Sequence, residues 1–282
     1  MPELPEVETV RRGLTDRLKD FKISHLEVCR ERAIASPGGS ELFIKNLLGV
    51  QVGDWERRGK YLKALLHRTE HVEGGYWGVH LRMTGQFQWH EVDTPPCSHT
   101  RVRIWNDKGH ELRFVDTRSF GQMWWVPPGI PAEQIITGLQ KLGPEPFSKD
   151  FTTQYLKQRL QGSQRAIKSA ILDQSVVAGT GNIYADESLF AAGIRPQTPS
   201  GELNDLQLDA LRTNLIKILE ISIGAGGTTF SDFRDLEGLN GNYGGQAWVY
   251  QRTGLKCRQC GETIVKDKIS GRSSHWCPIC QK

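Results

Sequence analysis

Pro2 and Glu3 set a proline nitrogen beside a carboxyl group at the front of the chain. Removal of Met1, the ordinary processing when a small residue follows, would turn Pro2 into a terminal secondary amine. Such an amine attacks an aldehyde-like carbon and forms an iminium ion directly. Lysine is the usual side chain for this chemistry. A free α-amine, however, titrates near ~8 where a lysine titrates near ~10, so a terminal proline is nucleophilic without a depressed pKa. Glu3 is a candidate proton donor. The same residues also suit a plain helix entry, because proline is favoured in a first helical turn.

A second chemical constellation closes the sequence. Cys257 and Cys260 form one C-x2-C pair, sixteen residues intervene, and Cys277 and Cys280 form another. Each pair offers two thiolates to one tetrahedral ion, and the span between them suffices for a hairpin that brings the pairs together. Four thiolates complete the coordination sphere, so the predicted Zn2+ is structural. Redox dithiols and an iron–sulfur site are the other uses of such pairs. Arg272, in GRSSHW, sits at the predicted hairpin tip, where a generic finger arginine would touch phosphate. Cys29 and Cys97 are left over and are expected to be buried, reduced thiols.

These groups need elements to place them. Residues 5–19 predict a helix, with Val7, Val10, Leu14 and Leu18 at spacings of three and four. Pro2 and Glu3 therefore precede a helix N-terminus, whose partial positive charge should make the Pro2 amine less basic. Short strands are predicted at 23–28, 61–66, 76–83, 85–89, 102–105, 111–115 and 122–126, the pattern of a β-sandwich. Residues 127–146, rich in proline and glycine, read as a connection. A helical region spans about 152–223, with 206–219 its clearest amphipathic helix. Within it two apolar helices flank the turn 178–181, and Asn182 is placed to start the second. Arg165 and Lys168, one helical turn apart, add phosphate-binding potential there, and a helix N-terminus is itself suited to phosphate. The GTG at 179–181 is an incomplete dinucleotide loop and follows a helical pattern rather than a strand. The glycine-dense stretch 224–245 is a candidate mobile loop.

The chain has 282 residues, enough for about two domains. Its 38% hydrophobic and 24% charged residues suit a globular protein. The net charge is +4, and the basic residues cluster. Arg57, Arg58, Lys60, Lys63 and Arg68 form one group; Lys256, Arg258, Lys266, Lys268, Arg272 and Lys282 form another, against only Glu262 and Asp267. Two separate basic patches suit a groove that grips a polyanion, or two solvated faces. Glu3, Glu6 and Glu8 stand where a secretory leader would carry basic and then apolar residues. No apolar run reaches membrane-spanning length. A reducing cytoplasm is the expected compartment.

With these residues in hand the chain closely resembles formamidopyrimidine-DNA glycosylases, bacterial base-excision enzymes for oxidised purines. The resemblance runs end to end, through PELPEVE at 2–8, RRGKY at 57–61, HLRMTG at 80–85, DTRSFG at 116–121, DQSVVAGTGNIYADE at 173–187 and the four-cysteine finger. It implies an α+β fold. An N-terminal helix and β-sandwich domain would occupy 1–130 and an interdomain connection 131–150. A helical DNA-binding domain with a helix–two-turn–helix motif and a lesion-covering loop would occupy 151–245, and a β-hairpin zinc finger 246–282. Double-stranded DNA containing oxidised bases would lie in the cleft between domains.

The resemblance also assigns roles. Pro2 attacks the sugar C1′, Glu3 assists opening of the deoxyribose ring, Lys60 is associated with β-elimination, and Arg272 with δ-elimination. Met83, Arg118 and Phe120 fill the space left by the extruded nucleotide, although Met83 and Phe120 taken alone would be called core residues. His99 and Arg118 contact DNA; Asn182 and Lys168 match phosphate contacts; Glu6 lies near the damaged nucleotide. The loop 228–243 covers the flipped base, but its LEGLNGNYG departs from the usual forms. A monomer with no small-molecule cofactor is implied. The competing expectations are an endonuclease VIII-like enzyme for oxidised pyrimidines, which usually opens PEGP where this chain has PELP, and a non-catalytic zinc-finger DNA-binding protein.

Overall fold

Leu4, Val7, Val10, Leu14 and Leu18 make the apolar stripe of the first helix, and all five are buried. That helix, α1, runs Leu4–Arg17 in a computed structural model that describes residues 1–91, 94–229 and 234–282. The chain divides into two compact units: residues 1–140 with 226–241, and 141–225 with 242–282.

In the first unit α1 is followed by β1 (Ile23–Val28), α2 (Gly39–Leu47), β2 (Gln51–Arg58), β3 (Tyr61–Thr69), β4 (Val72–His80), β5 (Gly85–His90), β6 (Thr100–Asn106), β7 (Glu111–Asp116), β8 (Gln122–Val126) and α3 (Ala132–Ile135). Two four-stranded antiparallel sheets result, in the orders β2-β3-β4-β8 and β1-β6-β7-β5. Period-two burial along β3 and β6 turns one face of each sheet inward. Trp77 of β4 meets Phe87 of β5 edge-on, with ring centroids 6.0 Å apart, and Phe87 continues to Phe114 of β7 at 5.3 Å. These rings join the sheets into the sandwich that the sequence predicts.

Three segments differ from the sequence reading. α2 and β2 are additions; β2, QVGDWERR, is too polar to alternate cleanly. The stretch 127–146 is not a bare connection, since it carries α3 and a 3₁₀ turn and buries Ala132, Ile136 and Leu139. Residues 226–241, expected within the helical domain, group with the first unit. There Leu236 is only 2% exposed within the sandwich core, and its carbonyl accepts the Trp89 N–H at 3.2 Å. Of the loop expected to cover a flipped base, residues 230–233 lie outside the described residues. Cys29 and Cys97 are exposed rather than buried, because both fall in segments that leave the sheet ends.

The second unit holds α4 (Thr153–Leu160), α5 (Ile167–Ile171), α6 (Asn182–Ala191), α7 (Asp205–Gly224) and the hairpin β9 (Val265–Ile269) and β10 (Arg272–Trp276). Thr152 caps α4, and Asn204 with Gln207 forms a capping box on α7, so sequence chemistry fixes both starts. Phe190, Val249, Cys257, Ile264 and Cys277 make a small core beneath the hairpin. No helix among the described residues is long and apolar enough to cross a membrane.

Candidate active site and zinc centre

Glu3 is the N-cap of α1 and is 3% exposed; Pro2, just ahead of it, is buried as well. The Glu3 N–H donates to Glu6 Oε2 at 2.8 Å, one half of a capping box. Glu6 is 1% exposed, and its Oε1 accepts the Thr228 N–H at 2.8 Å. The proline nitrogen is thus carried on a segment locked from two sides. Lys60 follows Gly59 in the two-residue turn joining β2 to β3, where Arg58 pairs with Tyr61. Gly59 has φ 56, the left-handed value that a first turn position here requires of glycine. Arg57 ties this turn to α1: its Nε lies 3.2 Å from Glu8 Oε2 and its Nη1 donates to the Gly59 carbonyl at 3.0 Å. Burial raises the Glu8 pKa, but Arg11, Arg12 and Arg57 together hold its carboxyl below the usual range.

Met83, His99, Arg118 and Phe120 are all exposed on loops at the ends of strands. Met83 and Phe120 are 36% and 38% exposed, which sets aside their reading as core residues. The Arg118 guanidinium lies 4.8 Å over the Phe120 ring and that of Arg32 lies 5.6 Å from it. This is an apolar tip with a donor-rich neighbour, an arrangement able to stack against a flat ring and to donate hydrogen bonds beside it.

In the second unit Asn182 opens α6, with Gly181 as N-cap. Arg165 precedes α5 rather than lying one turn from Lys168 on it. It remains half exposed and pairs with Asp173 at 2.9 Å. Burial opposes ionisation of Asp173, yet hydrogen bonds from Ser175 and the charge of Arg165 bring its pKa down to about 2. Lys168 is enclosed instead of facing solvent. Its Nζ lies 2.6 Å from Asp186 Oδ1 and donates to the Ser273 carbonyl, which also accepts from Asn182 Nδ2 at 3.0 Å. His275 completes this network at 2.9 Å from Asp186. Both residues expected at phosphate therefore brace the hairpin, and neither spacing nor residue type signalled that Asp186 would sit opposite Lys168. Glu187 plays a parallel part: it accepts the N–H groups of Trp248, Val249 and Tyr250. Burial raises its pKa against those three bonds.

Arg272 is exposed and begins β10. The preceding Ser270 and Gly271 have φ 47 and 81, the paired positive values of a tight hairpin turn. The four cysteine sulfurs lie within 4.8 Å of one another, with Cys257–Cys280 at 3.9 Å and Cys260–Cys277 at 3.4 Å. Sulfurs at the usual zinc bond length in a tetrahedron stand about 3.8 Å apart. The cluster fits one structural Zn2+, held by all four thiolates with no position open to substrate.

Known proteins supply the remaining comparison. The family model described as "Formamidopyrimidine-DNA glycosylase N-terminal domain" matches residues 1–123, the "H2TH domain" model of the same family matches 142–234, and a "Zinc finger found in FPG and IleRS" matches 254–282. A formamidopyrimidine-DNA glycosylase of Prochlorococcus marinus (strain MIT 9313) is 68% identical over all of both chains. The chain belongs to the formamidopyrimidine-DNA glycosylase family. Another formamidopyrimidine-DNA glycosylase, from Parasynechococcus marenigrum (strain WH8102), is 65% identical, again over all of both chains. Among solved structures, a Lactococcus lactis formamidopyrimidine-DNA glycosylase mutant in complex with Fapy-dG-containing DNA superposes with a TM-score of 0.90 at 34% identity, covering all of both chains. The wild-type Lactococcus lactis enzyme with oxidised-pyrimidine DNA gives 0.89 at 34%, also with full coverage.

Proposed function

We propose that this DNA glycosylase removes oxidised purines, 8-oxoguanine and formamidopyrimidines, from duplex DNA and then cleaves the strand as an abasic-site lyase. The observation that carries the reading is the buried Pro2–Glu3 pair at the start of α1, held by Glu6. A nucleophile needs a fixed approach to C1′, and the bonds that Glu6 makes to Glu3 and Thr228 support that reading by holding this segment. The target nucleotide leaves the stack, and Met83, Arg118 and Phe120 take its place. The Pro2 nitrogen bonds to C1′ as the bond from C1′ to the base breaks, and the base departs with a proton. Glu3 donates a proton to the ring oxygen, so the sugar opens to an iminium ion. The iminium acidifies the C2′ proton. Its loss expels the 3′ phosphate, and a second elimination expels the 5′ phosphate. Lys60 serves the first elimination. Arg272 clamps phosphate during the second, since an arginine stays charged throughout. The finger zinc supplies structure alone.

Borohydride trapping tests this. The Met1-processed chain should form a covalent adduct with duplex DNA carrying 8-oxoguanine, and Pro2→Gly should form much less. A chain with Met1 retained that excised and trapped at full rate would refute the mechanism. Running an oxidised pyrimidine in parallel ranks the lesions, a comparison warranted because the Lactococcus lactis enzyme has been captured with oxidised-pyrimidine DNA as well as with Fapy-dG. Tight binding with neither adduct nor nick would instead mark a non-catalytic DNA binder.

A further inference from the structure

We propose that Asp116 is the positioning residue for the void-filling loops, an assignment that rests on the function proposed above. Asp116 ends β7 and is fully buried. Its carboxylate accepts three bonds from two different loops: the Thr84 hydroxyl at 2.5 Å, the Arg118 N–H at 3.2 Å and the Gly121 N–H at 2.7 Å. Thr84 Oγ1 also accepts from the Arg118 N–H, at 3.1 Å. The turn that carries Met83 and the loop that carries Arg118 and Phe120 are therefore fastened to one side chain. The Asp116 backbone reaches a third segment. Its N–H donates to the His99 carbonyl at 2.9 Å, and its carbonyl accepts Arg101 Nε at 2.8 Å. Arg101 continues to the Ser98 carbonyl at 3.1 Å and to the His99 ring at 3.3 Å.

Backbone strain shows why a fastening is needed. Arg82, beside Met83, has φ 57, and Ser119, between Arg118 and Phe120, has φ 53. Non-glycine residues persist in this left-handed region only where their surroundings over-determine them. Each of these residues lies in one of the two loops that Asp116 joins. Gly121 belongs to the same device. A Cβ there would sit 3.1 Å from Asp116 Oδ2 and would collide with the Phe114 ring, so only glycine lets the N–H reach the carboxylate. Exposed side chains on loops lose preorganisation when their backbone wanders. Met83 and Phe120 lie outside the packed core, so their placement depends largely on the backbone beneath them.

The test uses the full, zinc-loaded chain and three variants. Asp116→Asn keeps the size but turns one oxygen into an N–H donor that faces a backbone N–H. Thr84→Val removes only the hydroxyl, and Thr84→Ser restores it. Two substrates separate positioning from general damage: a duplex with 8-oxoguanine, which requires void filling, and single-stranded abasic DNA, which does not. Asp116→Asn should lower single-turnover excision from the duplex by roughly tenfold or more. Thr84→Val should lower it several-fold and Thr84→Ser should recover it. Cleavage of the abasic single strand should stay within about twofold of the parent for all three. Equal losses on both substrates, or no loss on the duplex, would overturn the assignment. Should Asp116→Asn fail to fold, the Thr84 pair decides alone. A parent chain that traps on neither substrate would fail the proposed function itself, an outcome distinct from a parent that works and an Asp116 variant that matches it.

Discussion

Thr228 donates its backbone N–H to Glu6 Oε1 at 2.8 Å, across 222 residues of sequence. The other oxygen of that carboxylate holds the Glu3 N–H at the same distance. One side chain of α1 thereby links the segment bearing the proposed nucleophile to the 226–241 loop. Gly227, with φ 82, passes so close that a Cβ would meet Glu6 Oε1 at 3.1 Å.

Glu6→Gln replaces one acceptor oxygen with an N–H group that must face a backbone donor. Loss of a cap bond and of a bond to a charged acceptor should destabilise the protein by about 1–3 kcal/mol. Urea unfolding measures this. Excision from duplex DNA should fall more than cleavage of a pre-formed abasic site, because only the former needs the loop and the amine held together.

Gly121→Ala should cost about 1–3 kcal/mol through overpacking against Phe114. Its effect on duplex excision should match that of Thr84→Val in direction, since both loosen the same carboxylate. A thermal melt and a single-turnover assay on one preparation check the pair.

Lys168→Met separates bracing from phosphate binding. Cutting a buried pair leaves Asp186 short of a partner and typically costs about 3–5 kcal/mol. The slope of log K against log salt for DNA should stay unchanged. A direct phosphate contact would instead lower that slope by about 1.

His80 brings a pH dependence. Burial, with help from the charges of Arg82 and Lys60, lowers its pKa to about 3, and its Nδ1 accepts the Arg82 N–H at 3.0 Å. The unfolded chain binds a proton near the ordinary value of about 6.5, whereas the folded chain does not until far lower pH. The stability contribution is therefore intact above the unfolded pKa and drains away as pH falls from there toward 3. His80→Gln should flatten that loss. Urea midpoints at neutral and at mildly acidic pH, compared between the two proteins, give the answer.

Native mass spectrometry should show one zinc per chain, and Cys277→Ser should release it. A hairpin this small does not hold its fold without metal. Proteolysis should then begin within 254–282, and strand nicking should fall because Arg272 loses its hairpin.

Much of the candidate site was legible because its chemistry is local. Pro2 and Glu3 are adjacent, the cysteine pairs have a fixed spacing, and Asn182 follows a glycine turn. The strands at 23–28 and 122–126 were legible too, because alternation and turn residues are properties of short windows. β2 escaped notice since it lies at the edge of its sheet, buries only Val52 and Trp55, and its polar residues break the alternation. The Cys29 and Cys97 expectation failed for a similar reason. Burial of a small residue depends on where a strand stops.

The sequence by itself determined which groups are available: a proline at position 2 with its acids, four cysteines, and an order of motifs that names the family. Tertiary structure decided which partner each buried charge meets and which side chains stay exposed. Lys168 is spent on Asp186, Glu6 reaches Thr228, and Asp116 gathers three loops. Thr84 lies 32 residues from Asp116, and Thr228 lies 222 from Glu6, along the chain. They meet only after the core has formed, so no local pattern encodes the pairing, and the cost of a buried polar group left alone is what enforces it.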